Sequence, residues 1–338
     1  MRILILGGTQ FVGRHIAREA SDAGHEVTLF NRGSQPAVLP HLERIHGDRD
    51  GGLSGLHGTA FDAVVDVNGY LPRLVRDAAA LLEPLVDRYL FISTISVYAD
   101  IHEPHADEDH PLAQAPQPLT EEISAGNYGP LKAGCEQVVT EVFSPERRTI
   151  VRPGLVVGRF DPTDRFTYWV RRVARGGEVL APGSAADPLQ WVDVRDLARF
   201  CVHLLERGVT GVFNAVSPPD SVTMGELLTV AERVSAAAGG PGSRAPATVT
   251  WVDPDFLAAR EVRPWADLPA WLPAGENQML RLSSQRAAHA GLETSPLDDT
   301  VADVLAWDAE RGAPPLKAGL SGEREAELLG QWRLRGAV

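Results

Sequence analysis

Tyr128 and Lys132 stand four residues apart in the segment Tyr128-Gly129-Pro130-Leu131-Lys132. On a helix this spacing projects both side chains from one face. A phenol with a pKa near 10 is a poor acid or base at neutral pH, and a neighbouring ammonium favours the phenolate and lowers that pKa toward the working range. Proline is tolerated only in the first turn of a helix, so Pro130 places Tyr128 near the positive end of the helix dipole. A packed tyrosine beside a solvated lysine has the same spacing by chance, so the pair needs a partner. Thr94 is the candidate: it follows the apolar run Tyr89 to Ser93, and a hydroxyl at the carboxyl end of such a strand can hydrogen-bond a substrate oxygen.

A second chemical feature opens the chain. The apolar run Arg2 to Leu6 leads into Gly7-Gly8-Thr9-Gln10-Phe11-Val12-Gly13 and then a helical pattern through His15, Ile16, Ala17 and Ala20. Strand, glycine turn and helix N-terminus together suit a dinucleotide pyrophosphate, because the backbone can approach closely and free amides face the phosphates. Gly7, Thr9, Gln10, Phe11, Val12 and Gly13 are the expected cofactor contacts there. The second strand, Glu26 to Phe30, ends in Asn31-Arg32-Gly33 and offers no carboxylate for the ribose hydroxyls of NAD. Arg32 can instead pair with the 2′-phosphate of NADP, with Asn31 adding a donor, so NADP is expected over NAD.

These features need elements to position them. Strand and helix signals alternate through the first half of the chain: strands near 2–6, 26–30, 44–46, 63–67, 89–93 and 149–157, with helices to about 23, from 71 to 85 and from near 128. The pattern predicts an α/β fold, a Rossmann-type doubly wound parallel sheet with right-handed crossovers. From Ser217 the tryptophans Trp251, Trp265 and Trp271 and the prolines Pro254, Pro264, Pro269 and Pro273 suggest a smaller, irregular C-terminal substrate lobe. The expected division is a dinucleotide-binding domain over 1–157, rejoined by 189–216, and a substrate lobe over 158–188 and 217–338. The polar stretch 100–126 reads as a surface loop and a mobile lid.

Composition narrows the partners. The 338 residues are 44% hydrophobic with a formal net charge of −13, which opposes binding through nucleic-acid phosphates. No run of about 18 apolar residues predicts a membrane span, and no charged leader with an apolar region precedes the first strand, so a cytoplasmic protein is expected. Cys135 and Cys201 read as buried apolar residues. His102, His105, Asp107, Asp109 and His110 lack a second ligand cluster, so no metal site is expected. Oligomeric state is left open, with a homodimer one option.

In joint order, several segments resemble the extended short-chain dehydrogenase/reductase superfamily, the NAD-dependent epimerase/dehydratase-like group. They are the glycine turn, Gly47-Asp48, Ser93-Thr94 through Tyr98, Glu108-Asp109-His110-Pro111, Tyr128 to Lys132, Arg152-Pro153 leading to Gly158, and Trp191 to Ala198. The resemblance implies Thr94 as the substrate-polarising hydroxyl, Tyr128 as general acid or base, and Lys132 as the residue that holds the nicotinamide ribose. It also implies Asp48 as an adenine contact. Three departures narrow it. Gln10 replaces the middle glycine of the fingerprint; Ile95 and Ser96 replace the Asp and Glu that dehydratases carry after the threonine; Leu155 replaces an asparagine common in sugar-nucleotide enzymes.

The expected function is therefore an NAD(P)-dependent oxidoreductase acting on a small carbonyl or alcohol. The alternatives are a nucleotide-sugar epimerase, which shares the hydride half-reaction, or a dinucleotide-binding protein without turnover, as among chloroplast RNA-binding members of the superfamily. Arg165, Tyr168 and Trp169 are weaker candidates for substrate contact.

Overall fold

The computed structural model describes residues 1–35, 37–115, 120–239 and 245–335. Its first half alternates β1 (Arg2–Leu6), α1 (Phe11–Asp22), β2 (Glu26–Asn31), β3 (Glu43–His46), β4 (Phe61–Asp66), α2 (Pro72–Leu82), β5 (Val86–Ile92), α3 (Tyr128–Val142) and β6 (Arg148–Pro153). There follow β7 (Leu155–Val157), α4 (Arg165–Ala174), β8 (Gly177–Pro182), β9 (Pro188–Leu189), β10 (Trp191–Asp193), α5 (Val194–Arg207) and β11 (Gly211–Ala215). The rest comprises β12 (Val222–Thr223), α6 (Met224–Ala238), β13 (Ala247–Val252), α7 (Pro254–Ala258), α8 (Gln285–His289), α9 (Leu297–Glu310) and α10 (Gly322–Arg335).

Seven strands form one sheet in the order β3-β2-β1-β4-β5-β6-β11, with every neighbouring pair parallel. This is the doubly wound arrangement the alternation predicts, and its order reverses between β1 and β4, where such sheets bind ligands. Leu4 and Leu6 of β1 belong to the core that holds Val75, Ala78 and Leu82 of α2 and Cys135, Val138 and Val139 of α3. Ile3 and Ile5 are equally buried and point to the opposite face, which the packed pair α1 and α5 covers.

The single strand expected over 149–157 is two. The strand breaks at Gly154, where a Cβ would come within 2.7 Å of Val216 Cγ1, and only β6 stays in the large sheet while β7 pairs with β10.

By packing, the chain divides into two units. The first comprises Met1–Val156, Val194–Ser217 and Leu282–Thr294; the second comprises Val157–Asp193, Pro218–Arg281 and Ser295–Val338. The first unit thus resumes at Val194 rather than near 189, and it takes back a segment that the sequence assigned to the substrate lobe. Asn214 of β11 explains that return: its Nδ2 donates to Ser283 O at 3.1 Å, and Ser283 N donates to Ala106 O at 3.0 Å. Within the second unit α4, α6 and α9 pack together, and β8 pairs with β13 in parallel. Helix α6 is regular from its start because Thr223 and Glu226 form a reciprocal capping box. The Trp- and Pro-rich stretch is irregular, and Trp265 and Ala270 there take φ of 63° and 62°.

Candidate active site

The turn after β1 has the backbone that its glycines predict. Gly7 and Gly8 adopt φ of 113° and 82°, and a Cβ on Gly13 would sit 2.8 Å from Gly8 N. The turn therefore closes directly onto α1, and Gly13 cannot carry a side chain. Gln10 occupies the N-cap in an extended conformation, φ −126°, with its side chain exposed, so this position tolerates a residue other than glycine. No acidic residue lies in the first turn of α1, whose amides lack helical partners, and Thr9, Phe11 and Val12 are half-buried around them. The cradle fits an anionic diphosphate.

At the end of β2, Asn31 Oδ1 accepts from Gly33 N at 2.9 Å, while its Nδ2 is buried with no partner among the described residues. Arg32 is exposed, and it makes no hydrogen bond or ion pair with any described residue. Asp48 is exposed, and its Oδ1 accepts from Asp50 N at 3.0 Å. These groups also fit an adenosine moiety: one orphaned donor, one unengaged cation and one accessible carboxylate.

Thr94 caps the short turn Ile95–Val97: its Oγ1 accepts from Ser96 N and its hydroxyl donates to Ser96 Oγ, both at 3.2 Å. Tyr128 is the first residue of α3, as Pro130 predicts. A Cβ on Gly129 would lie 1.9 Å from Ser96 O, so the start of α3 rests on the backbone of the Thr94 turn. The contact requires glycine and brings two of the three expected catalytic residues to adjoining segments.

Lys132 lies one turn further and is 2% exposed. Its Nζ donates to Gly69 O at 2.8 Å and Ile92 O at 2.6 Å, and it stands 4.1 Å from the Phe91 ring centroid. Burial pushes its pKa down to about 8, against the opposing influence of Cys135, Asp66 and Glu136.

Sequence reading missed what lies beneath these residues. Arg49 makes a bidentate pair with the fully buried Asp66 (2.5 and 2.6 Å) and reaches Asn68 Oδ1 at 3.1 Å. Tyr89 donates to the same carboxylate at 2.7 Å. Burial works to raise the Asp66 carboxyl, yet the Arg49 guanidinium holds it below the usual range. An acid ending the apolar run Ala63-Val64-Val65 was the available signal, since a charge there must be paired. Arg152 similarly grips Glu136, which also accepts from Ser93, and donates to Tyr98 Oη (3.0 Å) and Glu108 O (3.1 Å).

That second network bears on the first part of the stretch expected to be a mobile lid. Glu108 is buried, Ala99 N donates to Pro111 O and Ala113 N to Val97 O, so residues 99–113 are fastened to the first unit. Residues 116–119 of the stretch lie outside the described residues. His110 packs edge-on to Tyr98 and contacts Asp100 O, while Asp107 and Asp109 pair with Arg286. Among the described residues no group of three His, Cys, Asp or Glu side chains could hold a metal. Cys135 and Cys201 are buried free thiols. Tyr168 and Trp169 are core residues of the second unit, 3% and 0% exposed; Arg165 stays partly exposed beside Trp265.

Residues 3–215 match the NAD dependent epimerase/dehydratase family. The chain belongs to that family. It is thereby an NAD(P)-dependent enzyme type of the short-chain dehydrogenase/reductase kind, as the order of its motifs implies. Among curated relatives, it is 28% identical over 264 residues to the chloroplast stem-loop binding protein of 41 kDa b from Arabidopsis thaliana, covering 71% of this chain and 63% of that protein. It is 30% identical over 254 residues to the epimerase family protein SDR39U1 of Bos taurus, covering 67% of this chain and 78% of the relative. Among solved structures, human SDR39U1 (isoform 2) with NADPH superposes with a TM-score of 0.60 at 22% identity, over 90% of this chain and 99% of that one. The UDP-glucuronic acid 4-epimerase of Bacillus cereus in complex with NAD gives 0.63 at 15% identity, over 92% and 99%. These family members share the Rossmann fold described above. No helix among the described residues is long and apolar enough to cross a membrane.

Proposed function

We propose that this family member is an NADP-preferring oxidoreductase, in which Thr94, Tyr128 and Lys132 serve hydride exchange with a small carbonyl or alcohol. The observation that carries the reading is Lys132. A buried ammonium held by two carbonyl oxygens, with no carboxylate bonded to it, favours phenolate at a tyrosine one turn away on the same helix. A bound nicotinamide supplies or accepts the hydride. Tyr128 Oη gives a proton to the substrate oxygen in reduction and takes it back in oxidation, and the Thr94 hydroxyl hydrogen-bonds that oxygen. The glycine cradle and the first amides of α1 would hold the diphosphate. Arg32 and Asn31 Nδ2 would hold the 2′-phosphate, and Asp48 the adenine, while the Gly33 amide is engaged by Asn31 Oδ1.

Ile95 and Ser96 remove the acids that sugar dehydration uses, and the buried Leu155 cannot make an amide's hydrogen bonds, which supports a substrate other than a nucleotide sugar. An epimerase would share the same half-reaction. A stem-loop-binding role like that named for the Arabidopsis relative is disfavoured by the net charge of −13. The test is NADPH oxidation against a panel of carbonyl compounds, comparing wild type with Tyr128→Phe. The variant is expected to lose about two to four orders of magnitude in rate while keeping its NADPH affinity. Wild-type rates in the variant would overturn the assignment.

A further inference from the structure

Two contacts on Lys132 come from the loop between β4 and α2. Gly69 contributes its carbonyl, and the next residue, Tyr70, places its ring centroid 5.5 Å from Nζ and 6.3 Å from the ring of Tyr128. Phe91 covers the ammonium from the sheet side at 4.1 Å. Loop and lysine are built for each other. A Cβ on Gly69 would meet Phe91 Cε2 at 2.6 Å and Val75 Cγ2 at 2.8 Å, so the loop can follow this path only with glycine there. Its approach is set by Asp66 and Asn68, both bonded to Arg49. Tyr70 is nevertheless 43% exposed, so its ring stands between Lys132 and solvent.

We propose that Gly69 and Tyr70 form a clamp for Lys132, in which the Tyr70 ring is a positioning residue that screens the ammonium from water and fixes it beside Tyr128. The two ring faces attract the cation electrostatically, and the two carbonyls engage two of its three donors, leaving one N–H for a ligand. The proposal rests on the reading of Lys132 as part of the reacting set, but the clamp itself is testable without cofactor or turnover. The charged and titratable groups around Lys132 include Asp66 from β4, Glu136 and Cys135 from α3, and Arg49, with Tyr70 from the loop and Tyr128 one turn away on α3. Asp66 is engaged by Arg49 and Tyr89, and Glu136 by Arg152 and Ser93, so a change at Tyr70 leaves their bonds in place.

The chain contains only two lysines, Lys132 and Lys317, which makes the measurement selective. Protein labelled with 13C at the lysine ε-carbon, free of cofactor, gives one signal for each, and Lys317 serves as the exposed reference. In wild type the Lys132 signal is expected to be displaced upfield by ring currents and to titrate near pH 8. Tyr70→Phe keeps both properties. Tyr70→Ala moves the signal toward that of Lys317 and raises the titration midpoint by about one pH unit, because regained hydration outweighs one distant ring face. If the alanine variant does not fold, Tyr70→Leu, which keeps the cover and removes the π face, is expected to lose the Tyr70 share of the displacement and keep the share due to Phe91. Unchanged signals in Tyr70→Ala or Tyr70→Leu, or a Phe variant that shifts as far as Ala, would overturn the clamp. A clamp that passes while Tyr128→Phe retains full rate would overturn the catalytic reading alone.

Discussion

Helix α3 carries Lys132 and Glu136 one turn apart, close enough to pair with each other, and they are used in opposite ways. Glu136 is saturated: Arg152 approaches both carboxylate oxygens (2.9 and 2.6 Å) and Ser93 donates to one of them. Arg152 in turn is only 4% exposed and is also bonded to Tyr98 and Glu108. Lys132, buried as deeply, receives carbonyls and rings alone. Burial acts to lower the affinity of both cations for their proton; the carboxylate of Glu136 reverses that for Arg152, while Lys132 falls to about 8. A buried cation with a dedicated anion is a structural joint. One without is free of a fixed anion, and on the proposed reading the difference separates the frame of this site from its chemistry.

Breaking the frame should give the largest effect. Glu136→Gln leaves the Arg152 charge buried and unpaired, and is expected to destabilise the protein by about 3 kcal/mol. Denaturant titration measures it, and a loss no greater than that of an exposed substitution would show that the joint is dispensable. Lys132→Met sharpens the contrast from the other side. It should lower turnover and NADPH affinity together by about tenfold or more each, while leaving the melting temperature near wild type at pH 7, because no charge is left unpaired.

Its pH signature follows from the shift at Lys132. The folded-state pKa of about 8 lies below the ordinary 10.5, so the unfolded chain binds the proton more tightly between those values. This residue's contribution to stability is therefore smallest below pH 8 and grows as pH rises toward 10.5. Wild type should gain stability relative to Lys132→Met across that window, as read from paired melting curves; parallel curves would place the lysine in water.

The smallest expected effect concerns a third kind of cation, Arg32, exposed and unengaged by the described residues. Arg32→Ala should weaken NADPH binding by about tenfold, equivalent to about 1.4 kcal/mol, and leave NADH binding within about a factor of two. Equal losses for both cofactors, or tighter NADH binding by wild type, would remove the proposed preference for NADP.

Much of this protein is legible in one dimension. Apolar runs bounded by glycine fix the parallel sheet, because a strand buried on both faces has no polar alternative. Pro130 fixes where α3 begins, since proline cannot sit deeper in a helix, and the four-residue interval puts Tyr128 and Lys132 on one face. Gly13 and Gly129 were likewise legible as glycines, though what each touches was not. Tertiary structure decided the rest. Nothing in the local sequence says that Arg49 finds Asp66, that Glu136 goes to Arg152 rather than Lys132, that Tyr70 lies over the ammonium, or that residues 282–294 return to the first unit. Local periodicity specifies which face of an element is apolar. Which charge meets which is set by long-range packing, where burial makes every pairing, or its absence, energetically decisive.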